Sequence, residues 1–507
     1  MKARVFSKFL TFENYLQFLV LSVPILLISG SFLPDLFVTL SALSFLIFLI
    51  LNKKLDFLNH KIFHLFLLFT LILLISSLLS EYKTKSFITS LGYFRFGIFV
   101  FLINFLINRN LKLIKNLSYI LTATFFVLFL DAFFQKLTGV NIFGISAPYG
   151  RITSLFGDDI KLGSYVSRIT PLFIALLVYL KSNRYYLFSV FFISLFLTLI
   201  SGERTSFFIV LTFLGGFVIF SNISLKFKIF CAVTPIVLIF LVLLNQEIRF
   251  RILTSTLNQI NIFNEKPFYK TMKREDGTLV VLHRDSTILP RVYHMYFETT
   301  VKIFKDNIFF GSGPRTYPYV SKKEEYFTVS SHEGWVKYVN QYNKKIMGEL
   351  LQIHKEQIDN ISKFQKYKDL KKDISLIKNK EYSDWLKGYG LSHIDFDERL
   401  KDKKWLYGWI LSEDLEGFTK ISGVNNHPHN TYLQLLCETG LLGFLSVLVV
   451  WLFCIYKLFS EINLYYKCIL IGLILNLFPF MFTGNFFNGW LSILYFYPLG
   501  FLLKKKI

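Results

Sequence analysis

Apolar runs separated by short polar turns dominate this chain. They fall at about 15–31, 34–51, 62–80, 86–107, 117–135, 162–180, 185–200, 205–221, 227–244, 440–456, 464–483 and 486–503. A helix rises 1.5 Å per residue, so about 20 residues cross about 30 Å of hydrocarbon. The pattern therefore predicts an all-α polytopic membrane protein of about 12 transmembrane helices. Nine spans (1–244) precede one long hydrophilic stretch, and an interfacial helix with three more spans (431–507) follows it. The first run has no small-residue cleavage site after it and is read as a retained span. Between spans nine and ten, residues 245–430 form a separate external segment. Within it, 337–380 is Lys-rich with Ile346, Leu350, Leu351, Ile358 and Ile361 at helical spacing, which predicts an amphipathic helical hairpin in a mainly helical domain.

Composition strengthens the membrane reading. Hydrophobic residues make up 53% and aromatics 18%, including 59 Phe, with mean hydropathy +0.47. The net charge of +22 resembles a nucleic-acid footprint until its location is considered. Residues 245–426 hold 30 Lys+Arg against 24 Asp+Glu, leaving 26 against 10 elsewhere. Of those 26, 18 lie in alternate connections: Lys2/Arg4/Lys8, Lys53/Lys54/Lys61, Arg109/Lys112/Lys115, Lys181/Arg184, Lys226/Lys228, Lys457/Lys467 and Lys504 to Lys506. The opposite connections carry six. Cytoplasmic turns collect Lys and Arg, so both termini are expected inside and 245–426 outside. No nucleic-acid partner follows. The four cysteines (Cys231, Cys437, Cys454, Cys468) lie in or beside apolar runs without metal-ligand spacing, and read as small buried hydrophobes.

Candidate chemistry centres on 421–443, ISGVNNHPHNTYLQLLCETGLLG, where hydrophilic sequence re-enters apolar sequence. This places His429 on the first turn of a helix at the outer surface, with His427 beside it. Asn430 suits a helix cap, and Gly440 and Gly443 suit close packing between spans. Arg95 and Asp131 lie within spans, where an ionisable side chain is costly and function is the default reading. Arg151 and Arg168 are further cations on the outer side. Glu438 is either a buried partner for an arginine or a site residue.

These pieces, taken in order, resemble the O-antigen ligase and O-antigen polymerase superfamily of bacterial envelope enzymes. The resemblance rests on His429-Asn430 followed by Gly440 and Gly443. It rests also on Asp131 to Gly139 with Arg151 to Gly157 and Leu162-Gly163, on Ser201-Gly202-Glu203-Arg204, and on Arg291 followed by Gly311-Ser312-Gly313-Pro314. It covers most of 120–320 and 421–490; the roughly 110 residues between Gly313 and His427 are longer than the family's pattern.

The resemblance implies a GT-C-like fold in a bacterial inner membrane with a periplasmic active site and neither metal nor cofactor. The implied donor is an undecaprenyl-diphosphate-linked glycan, and the acceptor is a sugar hydroxyl of lipid A-core. His429 is the implied general base, since imidazole titrates near neutrality. Arg204 and Arg291 are the implied diphosphate ligands, because guanidinium binds phosphate oxygens bidentately. Arg315 rivals Arg291, and His427 would orient its neighbour or the substrate. A polymerase, whose acceptor is the growing glycan, and a protein O-oligosaccharyltransferase share donor and chemistry. A lipid or polysaccharide transporter is the reading from another class; against it, the two halves show no repeat correspondence.

Overall fold

The computed structural model describes residues 12–147, 151–243, 249, 268–273, 279–284, 291–323, 325, 326 and 423–503. The predicted amphipathic hairpin at 337–380 lies outside them. The chain divides into two compact units: residues 1–256, 307–316 and 429–507 form the first, and 257–306 with 317–428 the second. The sequence-based boundaries at 245 and 430 put 307–316 in the external segment, whereas its contacts place it in the first unit.

In the first unit every expected apolar run coincides with a helix. These are α1 (Phe12–Leu26), α2 (Phe32–Leu51), α3 (Lys61–Leu79), α4 (Lys83–Arg109), α5 (Lys112–Thr138), α6 (Leu162–Tyr179), α7 (Arg184–Ile200), α8 (Arg204–Phe220) and α9 (Leu225–Leu243). In the second unit α10 is Arg291–Asp306, and the first unit resumes with α11 (Thr431–Ser460), α12 (Leu464–Asn476) and α13 (Gly489–Leu502). Among the described residues seven helices are long and apolar enough to cross a membrane, and α7, α8, α12 and α13 are shorter apolar helices. The unit is an all-helical, membrane-embedded body. Rows of apolar side chains such as Leu65, Leu68, Leu71, Phe126, Leu130 and Phe133 stay exposed on it, as expected where lipid replaces water as the solvent.

Asparagine sets several helix starts. The side chains of Asn183, Asn430, Asn463 and Asn488 each accept a hydrogen bond from a first-turn N–H of the helix that follows. Such a cap satisfies a donor that the helix itself leaves unpaired, and is worth about 1 kcal/mol. The most enclosed spans are α4 and α6, with 72% and 83% of their apolar windows buried, against 22% for α11. The core therefore gathers around α4 and α6, with α12 and α13 packed on them.

The structure departs from the sequence pattern at two places. The last two spans do not meet at 483–486: α12 stops at Asn476 and α13 starts at Gly489, leaving 477–488 as a loop. Pro479 and Gly484 lie in this loop, and both disfavour helix continuation. Gly440 is also not a contact between spans. It breaks α11, with φ +65 and ψ −165.

The break frees backbone groups that the segment 308–313 pairs. Ser312 and Gly313 N–H donate to the carbonyls of Cys437 and Glu438 at 2.8 Å each, and Leu441 N–H donates to the Ile308 carbonyl at 2.7 Å. Ser76 Oγ donates to the Glu438 carbonyl as well. Non-helical backbone at membrane depth survives only where protein supplies such partners.

The second unit contains α10, which buries Met295, Tyr296, Thr299, Thr300 and Ile303 along one stripe. Residues 423–425 lie on that helix: Asn425 Nδ2 donates to Tyr296 Oη at 2.6 Å, and a Cβ on Gly423 would overlap Thr299 Oγ1. Tyr317 Oη donates to the Gly423 carbonyl at 2.7 Å. A two-stranded antiparallel hairpin, Phe268–Lys273 with Leu279–Arg284, also belongs to this unit.

Candidate functional site

Turns of a few residues reverse the chain between neighbouring packed helices. The lysine-bearing turns at Lys53, Lys112, Lys181 and Lys457 therefore fall at one end of the first unit. The turns at 27–31, 80–82 and 201–203 and the loop 477–488 fall at the other. Every sequence-derived site residue of this unit comes from helix ends or loops at that second end, or from spans near it.

His429 occupies a left-handed backbone conformation, φ +55, unusual for a residue with a side chain. Its surroundings hold it there. The His429 carbonyl accepts from Thr483 N–H at 2.9 Å. Asn430 caps α11 through Oδ1, accepting from Tyr432 and Leu433 N–H, while its Nδ2 donates to the carbonyls of Pro479 and Met481 at 2.7 and 3.1 Å. Thr431 and Thr483 hydroxyls pair at 2.8 Å. The 477–488 loop is thus stapled to the residues around His429. Burial lowers the His429 pKa below the ordinary imidazole value, because desolvation disfavours the charged form. The ring is held neutral, the state that accepts a proton.

Tyr495 on α13 carries the arrangement onward. Its hydroxyl faces Thr431 on one side and Arg168 on the other, without hydrogen-bond geometry to either. Arg168 is 3% exposed; its Nη1 donates to the Ser164 carbonyl at 3.2 Å, and its Nε has no partner among the described residues. A buried guanidinium needs compensation, and Glu203 is the facing carboxylate.

Glu203 Oε1 accepts from Gly163 N–H at 2.8 Å, and Oε2 accepts from the hydroxyls of Ser164 at 2.8 Å and Ser206 at 3.0 Å. The carboxylate ties the N-terminal turns of α6 and α8 together. Burial pushes its pKa above the usual carboxylate value, against the donors and Arg168, which pull the other way. A Cβ on Gly163 would lie 2.6 Å from Ser201 Oγ, so the glycine after Leu162 makes room for this clasp. Arg204 follows Glu203 directly, exposed at the start of α8.

A cavity of about 320 Å³ lies at the start of α13, lined among others by Asp35, Arg95, Arg315, Phe487 and Asn488. The intramembrane charge of Arg95 is matched: its Nη2 donates to Asp35 Oδ1 at 2.5 Å and its Nη1 to the Gly92 carbonyl at 2.6 Å. Tyr93 joins the two regions, facing Arg95 and Tyr495, with its ring 5.9 Å from Phe486, which is itself 5.9 Å from Tyr495.

The remaining sequence candidates have other places. Asp131 is taken up structurally, accepting from Ile142 N–H at 2.8 Å and Ser154 Oγ at 2.6 Å. Gln135 Oε1 accepts from Thr153 and Ser154 N–H. The Asp131–Gly157 motif thus folds its own loop back onto α5, with Arg151 part-exposed in it. Glu438 is fully buried and accepts from Gln434 Nε2 at 2.8 Å, while Gln434 also donates to Asn485. His427 is buried in the second unit, with Nδ1 3.1 Å from Asn426 Oδ1; the unit boundary falls between it and His429. Arg291 opens α10 in the second unit, its side chain outside the described residues.

The sequence reading did not identify Thr483, Asn485 and Tyr495. A signal existed: Thr483, Asn485 and Asn488 interrupt FPFMFTGNFFNGW with polar residues too closely spaced for an uninterrupted span. Among the described residues no cluster of three His, Cys, Asp or Glu side chains is placed to hold a metal ion. No protein-family model, curated protein or solved structure matches this chain.

Proposed function

We propose that this protein is a membrane glycosyltransferase of the O-antigen ligase type. It moves a glycan from undecaprenyl diphosphate to a sugar hydroxyl of lipid A-core at the outer face of the bacterial inner membrane. The observation that carries the reading is the linked arrangement of His429, Thr431, Tyr495, Arg168, Glu203 and Arg204 at the membrane-unit end away from the lysine-rich turns. A clamped neutral imidazole and guanidiniums at one end of a membrane body suit a base and an anionic leaving group.

In the reaction the acceptor oxygen bonds to the anomeric carbon as the bond from that carbon to the diphosphate oxygen breaks. The acceptor's proton passes to His429, and undecaprenyl diphosphate departs as an anion. Arg204 binds its phosphate oxygens, and Arg168 adds positive potential from the buried side. Guanidinium keeps its charge throughout the relevant pH range, so the leaving group meets a fixed cation whatever the state of the base.

The deciding experiment offers purified protein a defined undecaprenyl-diphosphate glycan with three acceptors: lipid A-core, a second carrier-linked glycan, and a Ser/Thr peptide. Transfer to lipid A-core is the expected result. Transfer only to the carrier-linked glycan makes the protein a polymerase, and transfer only to peptide makes it a protein O-oligosaccharyltransferase. Passage of labelled glycan across vesicles with no covalent product makes it a transporter.

A further inference from the structure

The cavity beside α13 holds chemistry that the transfer step above does not use. Its lining combines two guanidiniums, Arg95 and Arg315, with one carboxylate, Asp35. The count leaves one positive charge in excess. Arg95 is fixed by Asp35 and by the Gly92 carbonyl, and its guanidinium stacks over the Phe96 ring at 4.7 Å. Arg315 is exposed and makes no hydrogen bond or ion pair among the described residues. Its backbone is left-handed, φ +64, just after Gly313, whose carbonyl accepts from Thr316 Oγ1 at 2.6 Å. That turn sets Arg315 on the rim by design of the backbone and not by packing of its side chain.

The rest of the lining is mixed in a specific way. Tyr93, Phe96 and Phe487 bring rings, and Ser31, Thr89 and Asn488 bring short polar groups. Thr89 Oγ1 donates to the Lys85 carbonyl at 3.0 Å, which leaves its lone pairs to accept. Gly489 keeps the space open, because a Cβ there would lie 2.6 Å from Asp35 Oδ1. Small-ligand pockets run from about 300 to 1,000 Å³, so about 320 Å³ accommodates one ring-sized unit.

We infer that this cavity binds a single acidic monosaccharide unit, bearing a carboxylate or a phosphate, of the glycan acceptor. Arg315 takes the anion, Asp35 and the short polar groups take hydroxyls, and the rings cover the apolar face of the sugar. One excess positive charge matches one anionic group. A neutral sugar leaves Arg315 unanswered, and an apolar ligand leaves the Arg95–Asp35 pair facing hydrocarbon. The assignment to the acceptor rests on the glycosyl-transfer reading; the binding itself does not.

The test is equilibrium binding to the detergent-purified full chain, with no donor present. The probes are glucuronate, glucose 6-phosphate, glucose and inorganic phosphate. The expected result is that glucuronate or glucose 6-phosphate binds at least tenfold more tightly than glucose and than phosphate. Whichever of the two binds more tightly identifies the acidic group. Arg315→Ala, an exposed change that leaves the core untouched, weakens that binding at least tenfold, while Arg315→Lys restores part of it. Equal binding of phosphate and glucose 6-phosphate, no binding of any probe, or unchanged binding in Arg315→Ala overturns the inference. Each of these outcomes leaves the transfer reading standing, and failure of transfer with binding intact removes only that reading.

Discussion

Gly311 and Gly440 press their backbones against each other. A Cβ on Gly311 would overlap the Glu438 carbonyl carbon, and one on Gly440 would overlap that of Phe309. Both residues have positive φ, +67 and +65. Two signatures far apart in sequence, Gly311-Ser312-Gly313 and Gly440 to Gly443, are therefore halves of one joint. The joint pairs the groups that the break in α11 exposes.

That contact allows no side chain. Alanine at either position incurs a left-handed strain of roughly 1–2 kcal/mol and an overpacking term of roughly 1–3 kcal/mol. Gly311→Ala and Gly440→Ala should each lower the thermal unfolding midpoint in detergent by several degrees. Gly215→Ala, inside α8 where an added Cβ would meet nothing within 4 Å, should hold or raise the midpoint, since alanine favours a helix interior over glycine.

Glu203 should behave as a clasp. Glu203→Ala removes the acceptor for Gly163 N–H and two serine hydroxyls and leaves Arg168 buried without its carboxylate. Losing a buried charge partner costs about 3–5 kcal/mol; because Glu203 is only half-buried, about half of that is expected. Glu203→Gln keeps an acceptor for Gly163 and should fall between wild type and alanine. Unfolding midpoints of the two variants check the order.

The base assignment sets a pH profile. Burial lowers the His429 pKa from the ordinary value of about 6.5, so the neutral ring persists to lower pH than usual. The kcat/KM for transfer should be flat through neutrality and fall on acidification with a midpoint below about 6.5. The sign for stability is the same: the unfolded chain binds the proton first, so stability contributed by the neutral ring is present above about pH 6.5 and is lost as pH falls through the folded value. An acid limb centred above 6.5 would contradict the buried placement.

Asn430 should matter through position. Asn430→Ala removes a cap worth about 1 kcal/mol and two bonds to the 477–488 loop. Transfer activity should drop about tenfold or more with the donor KM nearly unchanged, and Asn430→Asp should recover only the cap. Unaltered kcat in Asn430→Ala would show that His429 does not need this clamp.

Helix positions were legible because hydrocarbon length imposes a run of apolar residues on every span, and the described helices coincide with those runs. The helix cap at Asn430 was also readable from residue type. Helix interruptions were not. The last hairpin reads as nearly continuous apolar sequence, since Phe478, Phe480 and Phe482 hide a loop whose polar members contact α11. The partner of Arg95 is 60 residues away on α2, and no local pattern announces it. For Asp131 the reason is related: depth in a span signals cost, and the compensation comes from Ile142 and Ser154 in the following loop. His429 and Arg204 were singled out from their motifs, whereas Glu203 and Tyr495, which the structure sets near them, were given no role there.

The most direct test of the central claim is transfer by His429→Ala from a defined undecaprenyl-diphosphate glycan to lipid A-core, measured on protein shown to be inserted and folded. The account predicts a fall in kcat of at least a hundredfold, consistent with loss of a general base, with donor binding retained. Wild-type turnover in His429→Ala would contradict it.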